Sequence, residues 1–260
     1  MNKEIKKHIE ETIAKGVRFD GRMPDQYRPI SVAFGVTKNA EGSSRVKIGE
    51  TDVIVGIKMS IEKPFPDRPD EGTMAVNVEL LPLSNPEFES GPPGIQAIEL
   101  ARVVDRGIRE SKTIEVKSLC VEKGAKAWSI LIDICPVNDA GNLFDASSLG
   151  TIAALHNTRF PKYDGVEIDY KERTEKQLPL RIVPVSVTVC KIGAHLIIDP
   201  TIEEEQFIDS RLTVCATEDG KICALQKGGN APLTLDDISQ MVDLGLLKIK
   251  ELRHKLGVKK

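Results

Sequence analysis

No run of about 18 apolar residues, the length needed to cross a bilayer, occurs in the chain. The opening segment Met1-Asn-Lys-Glu-Ile-Lys-Lys-His8 also lacks the apolar core of a secretory signal. The expectation is a cytoplasmic protein with no membrane partner. Cysteine is scarce: Cys120, Cys135, Cys190, Cys215 and Cys223 are odd in number, form no C-x-x-C pair, and mostly sit in apolar strand-like runs. Reduced, buried thiols fit this pattern, and neither a disulfide scaffold nor a zinc site does. There is no G-x-x-x-x-G-K-[ST] phosphate loop and no G-x-G-x-x-G after a strand, which excludes the usual ATP and dinucleotide sites. The four histidines, His8, His156, His195 and His254, are scattered, and no G-x-S-x-G elbow accompanies them. They read as packing or surface residues. A net charge of −3 excludes a protein that coats nucleic acid non-specifically, so any such binding must come from a local patch.

What remains is an ordinary globular composition: 260 residues, 40% hydrophobic and 29% charged, enough for one large domain or two packed subdomains. Ile5, Ile9 and Ile13 at helical spacing predict a short helix over 2–14. Alternation predicts a hairpin from 44–48 and 53–61 and a further strand over 74–81, while prolines and charges mark 62–72 as an exposed loop. Strands are expected around 117–122 and 127–136, then a helix over 145–158 with Asp145 or Ser147 as its N-cap. Two prolines and many charges in 159–179 place a division there, giving halves 1–160 and 161–260. The second half repeats the recipe, with strands near 181–191, 194–198, 211–217 and 221–226. A closing helix starts at Thr234, where Asp237 supplies a near capping box. The fold class expected is α+β, built from two pseudo-duplicated β-α subdomains.

One helix stands out. After the breaker Gly91-Pro-Pro-Gly94, residues 95–109 carry Arg102, Arg106 and Arg109 at i, i+4 and i+7. At roughly 100° per residue these fall within an arc of about 60°, opposite Leu100, Val103, Val104 and Ile108. Guanidinium groups keep their charge and offer paired donors, which suits the phosphates of a polyanion. On spacing alone a simpler reading is favoured, in which Glu99 and Asp105 neutralise the stripe as solvated helical pairs. Two further segments have double readings. Backbone N–H groups where 137–142 enters a helix can face an anion, although Asp139 and Asp145 would repel it, so a plain strand–turn–helix connection is preferred. The acidic run 199–209 can hold Mg²⁺ through carboxylates, or be a solvated turn at Glu203 to Glu205, the commoner outcome.

Val17-Arg-Phe-Asp-Gly-Arg22 with Tyr27-Arg-Pro-Ile30, Glu99-Leu-Ala-Arg-Val-Val-Asp-Arg106, the Asp139-Ala-Gly-Asn142 loop and Asp199-Pro-Thr-Ile-Glu-Glu-Glu205 together resemble the RNase PH family. The match runs in order over nearly the whole chain. More narrowly, it resembles the non-catalytic RNase PH-like subunit of the archaeal exosome ring. The resemblance implies a fold of the ribosomal S5 domain 2-like type. It also implies a ring of three heterodimers with a catalytic RNase PH-like subunit, cap proteins of the S1/KH type, and single-stranded RNA as a partner. Active members cleave RNA from the 3′ end by phosphorolysis. They hold phosphate with Gly-Gly-[ST]-Arg, where this chain has Ala140-Gly141-Asn142-Leu143, and leucine cannot donate to phosphate. Asp199 matches the first catalytic carboxylate, but Glu205 stands where active relatives have a second aspartate. No catalytic residue, metal or cofactor is therefore expected. The family context turns the arginine helix toward RNA: Arg102, Arg106 and Arg109, with Lys63 and Arg68 from the 62–72 loop, are the candidate RNA-binding residues. The alternatives are an active phosphorolytic exoribonuclease using Asp199 and Glu205, and a free-standing RNA-binding protein.

Overall fold

The computed structural model describes residues 2–257. Its first sheet is driven by strict alternation: β1 (Ile30–Phe34), β2 (Gly42–Ile48), β3 (Thr51–Glu62) and β6 (Lys126–Asn138) lie side by side in that order, all antiparallel. β5 (Cys120–Glu122) pairs with β6, and β4 (Thr73–Val78) pairs with β6 in parallel on its free edge. A parallel pair needs a crossover. α2 (Ile95–Glu110) supplies it, packing against β4.

A two-stranded ribbon, β7 (Arg159–Tyr163) and β8 (Ile168–Gln177), leads to the second sheet. That sheet comprises β9 (Val185–Ile192), β10 (His195–Ile198), β11 (Ser210–Ala216) and β12 (Ile222–Gly228), antiparallel in the order β10-β9-β11-β12. α3 (Leu143–His156) packs against β2 and β3 of the first sheet and β9 of the second. Every residue from Asp145 to Leu155 is buried, the polar Asp145, Ser147, Ser148 and Thr151 included, so the helix has no solvent-facing side there. Its approach is close: a Cβ on Gly150 would lie 2.9 Å from the Val55 side chain, so glycine is required there. α5 (Leu235–Leu256) covers β9 and β11. Its N-terminus carries the expected box, with Thr234 accepting from the Asp237 N–H and Asp237 accepting from the Thr234 N–H. α1 (Asn2–Ala14) inserts Ile9 and Ile13 against Cys190, Ile192 and Ile197, while Ile5 is exposed.

Several expectations need correction. α3 begins at Leu143, and its N-cap is Asn142 in the left-handed region (φ 60°), not Asp145 or Ser147. Those two lie inside the helix and are buried because the chain enters it directly from β6. The 159–179 stretch, where the division between halves was expected, forms a hairpin. β7 buries Phe160 against Trp128, but β8 is mostly charged and exposed, so no alternation marks it. β1 was also not expected: Ile30, Val32 and Phe34 alternate with Ser31 and Ala33, but the strand is short and none of its residues is fully buried. Residues 116–119 form a 3₁₀ turn before the short β5.

Residues 15–29 strap the front of the chain onto the second sheet. Arg18, 2% exposed, donates to Glu204 (2.9 Å through Nε) and to the carbonyls of Ile198 and Asp199 (2.9 Å each). Glu204, in the short α4 (Ile202–Glu205), also accepts from the Thr201 N–H at 2.8 Å. Removing one partner of a buried ion pair strands the other without solvent, at a cost of about 3–5 kcal/mol. Arg18→Ala should therefore lower the urea midpoint by that equivalent, and adding Glu204→Gln should recover part of the loss by removing the orphaned charge.

Candidate nucleic-acid interface and the adjoining acidic cleft

Asp199 follows β10 in a left-handed conformation (φ 46°) that turns its carboxylate inward, where it is wholly buried. Five donors surround it. Oδ1 accepts from Arg28 Nη2 (2.6 Å) and Asn142 Nδ2 (3.0 Å). Oδ2 accepts from Arg22 Nη1 (2.8 Å), the Arg28 backbone N–H (2.8 Å) and Arg28 Nε (2.9 Å). Burial pushes this carboxyl upward, but the hydrogen bonds and charge of Arg28, with the Asn142 amide, outweigh burial and hold it below the usual carboxylate range. An ion seeking these oxygens must first displace charge-assisted bonds worth about 1.5–3 kcal/mol each.

Arg28 continues to the carbonyls of Ala140 (2.7 Å) and Gly141 (3.1 Å), fixing the loop before α3. Gly141 has φ 92°, and a Cβ there would lie 2.5 Å from the Pro200 carbonyl oxygen, so the approach of loop to loop requires glycine. The start of α3 does face a carboxyl, one of the chain's own: the Asn142 N–H donates to Glu205 Oε1 at 2.8 Å. Asp139 and Asp145 stand beside it, and the charge of Asp139 works against ionised Glu205, as expected of an anion there. Asp139 accepts from Asn85 and the Gly141 N–H, while Asp145 is buried with Tyr27, Asn142 and Thr188 as donors. Burial pushes the Asp145 carboxyl up to about 7 despite those donors. The acidic turn is not uniformly solvated either, since only Glu203 of 203–205 is exposed.

Glu205 borders a cleft of about 410 Å³ lined also by Glu99, Asn142, Leu143, Phe144 and Arg211. Arg211 is a cation that sequence reasoning missed, because nothing local to β11 sets it apart. It is already engaged, pairing with Glu99 at 2.5 Å and lying 4.5 Å over the Phe144 ring. Leu143 contributes only carbon. The cleft thus offers no free cation among the described residues.

The arginines of α2 lie outside this cleft, exposed over a core-facing side of Leu100, Val103, Val104 and Ile108. Their predicted neutralisation is only half realised. Asp105 clasps Arg109 (2.7 and 2.9 Å), but Glu99 turns to Arg211 and leaves Arg102 without a side-chain partner among the described residues. Arg106 donates to Gln226 of β12 at 2.8 Å. The three line one groove between α2 and β12, with Ile95 and Ile98. Lys63 and Arg68 are exposed on the separate β3–β4 loop, Arg68 beside Asp67 at 3.6 Å. The structure therefore gathers the helix arginines and leaves the loop pair apart.

Burial also pushes the Glu205 carboxyl up to about 7. A carboxyl raised in the folded state stabilises fully below its unfolded value, near 4.5, and that contribution is lost as pH rises through 7. Glu205→Gln keeps the bond from Asn142 but cannot ionise. Its melting temperature should fall less than the parent's between pH 5 and about 8, as differential scanning calorimetry would record; parallel curves would refute the assignment.

Comparison with known proteins places this arrangement. Residues 26–161 match domain 1 and residues 183–247 match domain 2 of the 3′ exoribonuclease family, RNase PH. The exosome complex component Rrp42 of Methanopyrus kandleri is 45% identical over 255 residues, covering 96% of this chain and 95% of that protein. Among solved structures, a chain of the Archaeoglobus fulgidus exosome with RNA bound to the active site superposes with a TM-score of 0.89 at 40% identity, covering 96% of each. A chain of an archaeal exosome core gives 0.85 at 36% identity, over 99% of this chain and 100% of that one. With both domains matched in order on two β-sheets joined through α3, the chain belongs to the RNase PH family of 3′ exoribonucleases.

Proposed function

We propose that the chain is a non-catalytic, RNA-contacting subunit of an archaeal-type exosome ring. In this reading it alternates, as three heterodimers, with a catalytic RNase PH-like subunit in the cytoplasm, beneath S1/KH-type cap proteins. The observation that carries the inactive assignment is the enclosure of Asp199 by five donors. Phosphorolysis needs a held phosphate to attack the last phosphodiester phosphorus while the RNA 3′ oxygen leaves, with negative charge building on the phosphoryl oxygens. Here Leu143 donates nothing, Glu205 takes the helix-start N–H, and Arg211 is neutralised by Glu99. Each part that would grip the attacking anion is missing or already engaged internally.

The stripe supports the RNA-binding half. Arg102, Arg106 and Arg109 are mounted on a helix whose other side is locked into the core, so their spacing is fixed before RNA arrives. Contacts of this kind grip phosphates without reading bases, and Lys63 and Arg68 add charge on a second element. The likeness to an RNA-bound archaeal exosome chain supports the ring setting.

Mixed with poly(A), phosphate and Mg²⁺, the purified chain should release no nucleoside diphosphate by chromatography, and neither should Leu143→Arg, because Asp199 stays enclosed. Turnover by the partner-free chain would overturn the inactive assignment. With the catalytic subunit present, replacing Arg102, Arg106 and Arg109 by alanine should leave assembly intact by light scattering. RNA affinity should fall by at least about tenfold. The slope of log K against log salt should shrink by about 0.7 for each phosphate that is no longer neutralised. Unchanged affinity would make the stripe a solvated face.

A further inference from the structure

The edge strand β12 carries an irregularity that brings two thiols together. Cys215 of β11 is paired with Ala224 and Ala216 with Ile222, so Cys223 is the extra residue of a β-bulge. In a regular ladder residues 223 and 224 point to opposite faces, and Cys223 would turn away from Cys215. A bulge re-aims the side chain it inserts. The Cys223 Sγ lies 3.3 Å from the Cys215 Sγ and 3.3 Å from the Cys215 carbonyl oxygen. Cys215 is buried, its sulfur 4.0 Å from the Gly107 carbonyl oxygen of α2, whereas Cys223 is half-buried on the sheet edge. One thiol is reachable from solvent and the other waits behind it.

We propose that Cys215 and Cys223 form a dithiol site that reacts with low-molecular-weight disulfides to give a reversible intrachain disulfide, stapling β12 to β11. The Cys223 thiol loses its proton to solvent, and its sulfur attacks one sulfur of the reagent RS–SR, expelling one thiolate. Cys215 then attacks the Cys223 sulfur of that mixed disulfide, passing its proton to the second departing thiolate. The two cysteines are oxidised by two electrons, and the reagent is reduced to two thiols. Closing the pair needs the sulfurs to move from 3.3 Å to about 2.0 Å. The order of attack follows from the microenvironments. The hydrogen bond with Cys215 holds the Cys223 thiol below its usual range, while the same bond and burial hold Cys215 above. The staple also pins the strand that carries Gln226, the partner of Arg106.

The test uses the full chain and glutathione disulfide, followed by acid quench, alkylation in denaturant and trypsin. Cleavage after Arg211, Lys221 and Lys227 leaves the two cysteines on separate peptides, 212–221 and 222–227. The expected product is these peptides linked, two hydrogen masses below their sum and released by dithiothreitol. The oxidised chain should melt about 5 °C higher, because a cross-link restricts the unfolded chain, with no shift in Cys223→Ala. Full alkylation of both thiols, arrest as a glutathione adduct on Cys223, or linkage of Cys223 to Cys120, Cys135 or Cys190 would overturn the site. A linked pair with an unchanged melting temperature would overturn the staple.

Discussion

A single buried carboxylate ties together parts of the molecule that are distant in sequence. Asp199 lies in the second half, yet its donors come from the segment before β1 (Arg22, Arg28) and from the N-cap of α3 (Asn142). An ionised carboxylate without water needs such partners, since its desolvation would otherwise dominate. The arginines need it equally: Arg28 is also the group that fixes the 140–141 carbonyls. Loop, strap and second sheet are thus mutually dependent through one charge.

The same pairing of internal charges runs through the cleft beside it. A helix start that would favour an anion is occupied by Glu205, and Arg211, the cleft's one cation among the described residues, is paired with Glu99. Carboxyls held at about 7, Asp145 in the core and Glu205 at the rim, record how little solvent reaches this region.

The arginine helix follows a different logic. α2 bridges the two sheets, touching β4 on one side and β12 on the other, so its outward face is held rigidly with little room to relax. Glu99 is drawn from the stripe to Arg211, which removes the neighbour best placed to screen Arg102. The chemistry of the inner cleft and the charge of the outer groove are therefore linked through one glutamate.

Periodicity along the chain was enough for α1, α2, α5 with its Thr234–Asp237 box, and the β2–β3 hairpin, because each buries one face and its polar residues repeat at the matching period. It missed β8, whose residues are mostly exposed, and at α3, buried on every side, it found the helix but misplaced the cap onto residues that serve the core. The arginine stripe and the missing donor at Leu143 could be read directly, since both are matters of residue type and spacing. Which carboxylate pairs with which cation could not. Glu99 with Arg211, Glu204 with Arg18 and Glu205 on the Asn142 N–H join positions far apart in the chain, and only packing the two halves around α3 brings those charges within reach of each other.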